Sequence, residues 1–188
     1  MMKIITGIAK GTKLETLEGE TTRPTAEKTK MAIFNTLQFD IEGRRVLDLF
    51  GGSGQLALEA LSRGASSAFI CEADLSAFEI IKKNAQKTKL FSKIKLVCTD
   101  YKSALRSLSG KDSFDIIFLD PPYKSAYLGD AVKRIIEGNL LAKGGFMVCE
   151  TENSDPVTFE GLKLYKHSKY GRAYVTILYN DPDKSEGE

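Results

Sequence analysis

The chain has one histidine, His167, three cysteines, and no apolar run near the ~18 residues a membrane helix needs. Asp48, Glu59, Glu72 and Asp74 interrupt its most apolar stretch, and Ile4 to Ala9 is too short for a secretory core. These absences predict a soluble, cytoplasmic protein. Cys71, Cys98 and Cys149 lie 27 and 51 residues apart, with no C-x-x-C and no Cys/His cluster. Zinc sites and disulfides are therefore not expected. Each cysteine sits in an apolar run, which predicts three buried strand thiols. Apolar residues at 42% and charged residues at 28% exclude disorder and collagen-like repeats, and 188 residues suit one domain.

Charge of one sign is also scarce overall, at a net +2, but it is unevenly placed. Residues 1–13 hold Lys3, Lys10 and Lys13 without an acid. Residues 82–95 hold six lysines, and 163–172 hold Lys163, Lys166, Lys169 and Arg172. Separate basic patches suit a polyanionic partner. The run at 82–95 falls late in a helix, where cations suit the macrodipole, and reads as a solvated face. Residues 181–188 carry four acids against Lys184 and read as a disordered acidic tail.

Strand and helix patterns alternate. Residues 2–14 read as a hairpin or arm around Gly7 and Gly11. Thr25, after Pro24, is expected to cap a helix from Ala26 to Leu37. Strands are expected at 45–50, 68–72, 94–99, 114–119 and 146–149. Helices are expected after Gly54, from Asp74 to Lys87, at 103–108 and at 126–140. Residues 162–168 and 173–179 form an antiparallel hairpin around Tyr170-Gly171. Near-continuous apolar strands between helices mean an α/β fold, a parallel sheet with helices on both faces and a ligand beyond the strand ends. The expected domains are a basic arm at 1–22, a catalytic domain at 23–180 and the tail.

Two segments carry chemistry. In Asp48-Leu49-Phe50-Gly51-Gly52-Ser53-Gly54, glycines directly after a strand allow a tight turn and close backbone approach to a ligand. Glu72 closes the next strand about 20 residues on, where a carboxylate can accept both hydroxyls of a ribose. Gly52-x-Gly54-x-x-Ala57 fits a dinucleotide fingerprint, so the loop alone does not separate that cofactor from others. Asp120-Pro121-Pro122-Tyr123, at the end of an apolar strand, decides it. An exocyclic base amine is a poor nucleophile, because its lone pair is delocalised into the ring. Asp120 and the Pro121 carbonyl can each accept one of its N–H groups, while Tyr123 offers a stacking face to a flipped-out base.

These residues resemble the RsmD family, and the likeness runs along nearly the whole chain. Ile4-Ile5-x-Gly7, Arg23-Pro24-Thr25, Phe34-Asn35-x-Leu37, the loop with Leu58 to Gly64, Asp120 to Tyr123, and Tyr174 to Tyr179 carry it in order. Lys10 and Lys13 stand where the family usually has arginines. The resemblance implies a Rossmann-like class I methyltransferase with a mostly parallel seven-stranded sheet. It implies methyl transfer from S-adenosylmethionine to a guanine N2 of 16S ribosomal RNA, free or in an assembling small subunit, by a monomer. By the same resemblance the cofactor-binding residues are Asp48, Phe50, Gly51, Gly52, Ser53, Gly54, Glu72, Asp100, Tyr101 and Asp120. Lys10, Lys13, Arg23, Pro24, Thr25 and Tyr123 are expected to meet RNA. The competing readings are an adenine-N6 or cytosine-N4 methyltransferase, a dinucleotide-dependent reductase and a non-catalytic RNA-binding module.

Overall fold

The computed structural model describes residues 2–17, 24–122 and 126–183, with the backbone alone for 24–26. Its elements in chain order are α1 (Pro24–Thr36), β1 (Arg45–Asp48), α2 (Gln55–Ser62), β2 (Ser67–Glu72), α3 (Leu75–Lys87), β3 (Ile94–Cys98), α4 (Tyr101–Leu108), β4 (Phe114–Leu119), α5 (Tyr127–Glu137), β5 (Leu141–Thr151), β6 (Lys163–Tyr170) and β7 (Ala173–Tyr179). The strands form one seven-stranded sheet in the order β3-β2-β1-β4-β5-β7-β6. β1 through β5 run parallel, and β7 runs antiparallel to both β5 and β6.

Side-chain alternation along the central strands feeds two cores. Ile116 and Phe118 of β4 pack under α1, α2 and α3, while Ile117 and Leu119 pack under α4 and α5. Both faces of these strands are thus covered, which is why their sequences are largely apolar. Residues 2–17 form a narrow hairpin closed by an antiparallel bridge between Lys3 and Lys13. Its Met2, Ile4, Ala9 and Leu14 join the core beneath α2.

Several expected boundaries shift. Helical backbone begins at Pro24, so Thr25 lies inside the first turn of α1 and does not cap it. Proline suits the first helical position because that N–H has no helical partner anyway. α5 stops at Glu137, before Gly138 and a left-handed Asn139, and β5 is longer than expected. Cys71 and Cys149 are buried and their thiols are pushed up to about 12 by burial, whereas Cys98 is exposed. β3 is an edge strand and only partly covered, so its apolar pattern does not bury every position.

Candidate active site

Chain order reverses at β1, which lies between β2 and β4, so the crevice beyond its C-terminal end is the natural ligand site of such a sheet. A cleft of about 780 Å³ opens there. The turn after β1, the end of β2, the start of α4 and the segment after β4 all line it.

The glycine loop is fixed through its backbone. Gly51 N–H donates to the Cys71 carbonyl at 2.9 Å, and Gly54 N–H donates back to the Gly51 carbonyl at 2.7 Å. A Cβ on Gly51 would stand 2.7 Å from Ile70 Cγ2 and 2.8 Å from Ile81 Cδ1, so a larger residue would have to displace buried side chains. Gly52 (φ +54) has open space beyond its Cα, toward which a ligand can come close. Gly54 (φ +76) lies behind the lining and turns the chain into α2.

Glu72 bridges the loop and the next helix. Its Oε2 accepts from Gly52 N–H and its Oε1 from Asp74 N–H, both at 2.8 Å. Each oxygen keeps further acceptor capacity, so the carboxylate is aimed without being used up. Asp48, at the end of β1, is 1% exposed. Burial pushes its carboxyl up to about 7, the neighbouring Glu72 charge adds to this, and the Ala57 and Phe50 N–H groups oppose it. Asp100 lines the cleft and also caps α4, accepting from Ser103 N–H at 3.0 Å and Ser103 Oγ at 2.7 Å, which holds its carboxyl below the usual range.

An aromatic run forms the wall beside it. Tyr101 packs between Phe50 and Tyr127, with ring centroids 5.5 and 5.1 Å away. The Tyr101 hydroxyl donates to Asp130 Oδ2 at 2.9 Å and is pushed up to about 12 by burial and that bond. On the far rim, Asp120, Pro121 and Pro122 line the cleft directly beyond β4.

The residues expected from the sequence therefore divide. Asp48, Phe50, Gly51, Gly52, Ser53, Glu72, Asp100, Tyr101 and Asp120 line one cleft with Pro121 and Pro122. Arg23 and Tyr123 lie outside the described residues, as do the side chains of Pro24 and Thr25. Lys10 and Lys13 are exposed on the hairpin. The hairpin tip meets the C-terminal end of α2, where Ile8 N–H donates to the Ser62 carbonyl. The eight residues of α2 span about 12 Å, so this contact lies a helix length from the glycine loop at the other end. Among the described residues no three His, Cys, Asp or Glu side chains group as metal ligands, and no helix is long and apolar enough to cross a membrane.

The sequence reading missed Met2, Leu17, Gln55 and Tyr127, which also line the cleft. Gln55 Oε1 is buried without a hydrogen-bond partner among the described residues. A buried acceptor left orphaned at the helix start is suited to an N–H from a ligand. It also missed Glu59 and Asn84, both fully buried. The available signal was an acid or amide set within an otherwise apolar helical face.

The family model described as conserved hypothetical protein 95 matches residues 2–179. The Bacillus subtilis protein YlbH is 36% identical over 94% of this chain and 97% of its own. Ribosomal RNA small subunit methyltransferase D of Haemophilus influenzae is 34% identical over 95% of this chain and 94% of its own. The solved structure of yhhF from Escherichia coli superposes with a TM-score of 0.85 at 27% identity, covering 96% of this chain and 98% of that one.

Proposed function

Since the chain belongs to the conserved hypothetical protein 95 family, the RsmD family, we propose that it moves a methyl group from S-adenosylmethionine to the N2 amine of a guanine in 16S ribosomal RNA. The observation that carries this reading is the shared cleft. Asp120-Pro121-Pro122 faces the same space as the glycine loop and Glu72. A nucleotide reductase has no use for paired acceptors aimed at an amine.

The residues present fit the cofactor. Glu72 is held ready for a ribose diol, Gly52 leaves room for close approach, and Gln55 Oε1 and Asp48 offer acceptors near the helix start for an ammonium group. Phe50 and Tyr101, packed as tilted rings, supply an aromatic wall beside Asp100, which suits an adenine. When bound, the cofactor supplies an electrophilic sulfonium methyl group.

The protein's part is positioning. Asp120 and the Pro121 carbonyl each accept one N–H of the target amine and turn its lone pair toward the methyl carbon. With the cofactor held by Glu72 and the glycine loop, its methyl carbon would pass to the amine lone pair with a neutral thioether as leaving group, and the surplus proton on nitrogen would go to Asp120 or to water. Asp120 need not remove a proton first. Prolines at 121 and 122 bring no backbone donors of their own to the rim and stiffen the chain that carries Asp120. Tyr123 is proposed to stack on the base, and Arg23 with the hairpin lysines to meet phosphates. The protein acts as a cytoplasmic monomer on free ribosomal RNA or an assembling subunit.

Incubation with unmodified small-subunit ribosomal RNA and labelled cofactor, followed by nucleoside analysis, tests the reading. N2-methylguanosine is expected. N6-methyladenosine or N4-methylcytidine would transfer the same acceptor geometry to a different base, and NAD binding without S-adenosylhomocysteine binding would overturn the class.

A further inference from the structure

Asn84 lies fully buried on α3, on the face that also carries Ile81 and Ala85. Its amide uses both ends. Oδ1 accepts from Glu15 N–H at 2.8 Å, while Nδ2 donates to the Glu15 carbonyl at 2.9 Å and to the Ser53 carbonyl at 2.9 Å. One side chain therefore pairs with a hairpin residue as a neighbouring strand would, and holds a carbonyl of the glycine loop at the same time. Two residues beyond Glu15, Leu17 lines the cleft. From the other hairpin strand, Met2 also lines it and accepts from Ser53 Oγ through Sδ at 3.0 Å.

We propose that the hairpin stem is part of the cofactor site, with Met2 and Leu17 as an apolar wall and Asn84 as the positioning residue that keeps stem and glycine loop in one register. The proposal rests on the cofactor reading above. Its basis is a contrast between two of the several fastenings of the hairpin. Near the tip, Ser62 Oγ donates to the Thr6 carbonyl at 2.6 Å and accepts from Ala9 N–H at 3.0 Å, on the side of α2 away from the loop. That fastening, together with the buried apolar residues, already holds the hairpin down. The Asn84 contacts do something further, because they tie the stem to Ser53, the loop residue next to Gly52. Without the Asn84 donor, a buried carbonyl would lose its partner, and the loop would relax to find another.

The experiment measures S-adenosylhomocysteine affinity by calorimetry, at a temperature where every variant is folded, alongside each thermal midpoint. Asn84→Ala is expected to weaken binding by about ten- to a hundredfold, the range set by orphaning one buried acceptor. Ser62→Ala should lower the midpoint yet leave affinity within about twofold, since its hydrogen bonds do not reach the loop. Leu17→Ala, only half-buried, should weaken binding several-fold with little change in midpoint, and it decides the matter if Asn84→Ala does not fold. Wild-type affinity in Asn84→Ala or in Leu17→Ala overturns the proposal. So does an equal loss in Ser62→Ala, which would make the effect one of hairpin stability alone. Failure of the wild-type protein to bind would instead overturn the cofactor reading itself.

Discussion

On the β1–β2 rim of the cleft, the glycine loop is tied by hydrogen bonds from Gly51 to Cys71, Gly54 to Gly51, Gly52 to Glu72 and Asn84 to Ser53. On the β4 rim, the chain leaves the sheet through Asp120 and two prolines, whose rings replace donors with covalent stiffness. On the proposed reading, the first rim presents several groups at once to a cofactor of many polar atoms, and the second presents two acceptors to one nitrogen. A loop pinned from many sides distributes its precision, whereas a proline pair concentrates it on one carboxylate and one carbonyl. Substitutions on the two rims should therefore fail in different observables.

The largest effect is expected at the proline rim. Asp120→Ala should cost on the order of 3–4 kcal/mol in the barrier, or roughly 10²–10³ in turnover. The loss of S-adenosylhomocysteine affinity should be far smaller, because on the proposed reading the main partner of Asp120 is the substrate amine and its cofactor contact is secondary. Asp120→Asn should keep part of the activity, because its amide oxygen still accepts one N–H. Near-normal turnover in Asp120→Ala, or a matching loss of affinity, would erase the distinction between the rims.

Gly52→Val should do the reverse. A β-branched residue at φ +54 strains the backbone by about 1–3 kcal/mol and fills the space left open toward the cleft. Affinity should fall by about 10- to 100-fold while circular dichroism stays that of the folded protein. Retained affinity would mean that the cofactor does not approach this glycine.

Glu72→Ala is next, at about 1–3 kcal/mol of lost affinity. Because Glu72 also accepts from Gly52 and Asp74, a lower thermal midpoint should accompany it. If the midpoint falls and affinity does not, Glu72 only braces the loop and the following helix turn.

The smallest effect is a pH dependence. Asp48 is held up at about 7, so folding favours its protonated form in the ligand-free protein. That contribution is complete below the ordinary carboxylate value of about 4 and is lost as pH rises through about 7. Asp48→Asn lacks it, so the midpoint of the variant relative to wild type should rise from pH 5 to pH 8. Binding of an ammonium-bearing ligand favours the ionised carboxylate, so wild-type affinity should strengthen several-fold over the same interval. A flat difference in midpoint would show that Asp48 is already ionised in the folded chain.

Much of the cleft was legible before any coordinates. Gly51-Gly52-Ser53-Gly54 directly after an apolar strand signalled a tight turn with close backbone approach, and the structure has positive φ at Gly52 and Gly54 and open space beside Gly52. Glu72 ends β2 and Asp120 directly follows β4, so both were visible as carboxylates at the ends of apolar runs. Thr25 was misread, since an Arg-Pro-Thr pattern offers two plausible helix starts and local preference does not choose between them. Cys98 was misread because an apolar pattern does not reveal which strand lies at the sheet edge.

The sequence by itself determined what local geometry and covalent chemistry dictate: the strand–helix alternation, the glycine turn, the proline-stiffened acceptor pair and the spacing that brings both to strand ends. Only the tertiary structure decided where the hairpin goes and which residues partner it. Glu59 accepts from Ile5 and Thr6, Lys30 donates to the Lys3 carbonyl, and Asn84 joins Glu15 to Ser53 across 69 and 31 residues of chain. A polar side chain on an apolar helical face announces that it needs a partner. It does not say which backbone will supply one, because that depends on the packing of segments far apart in the chain.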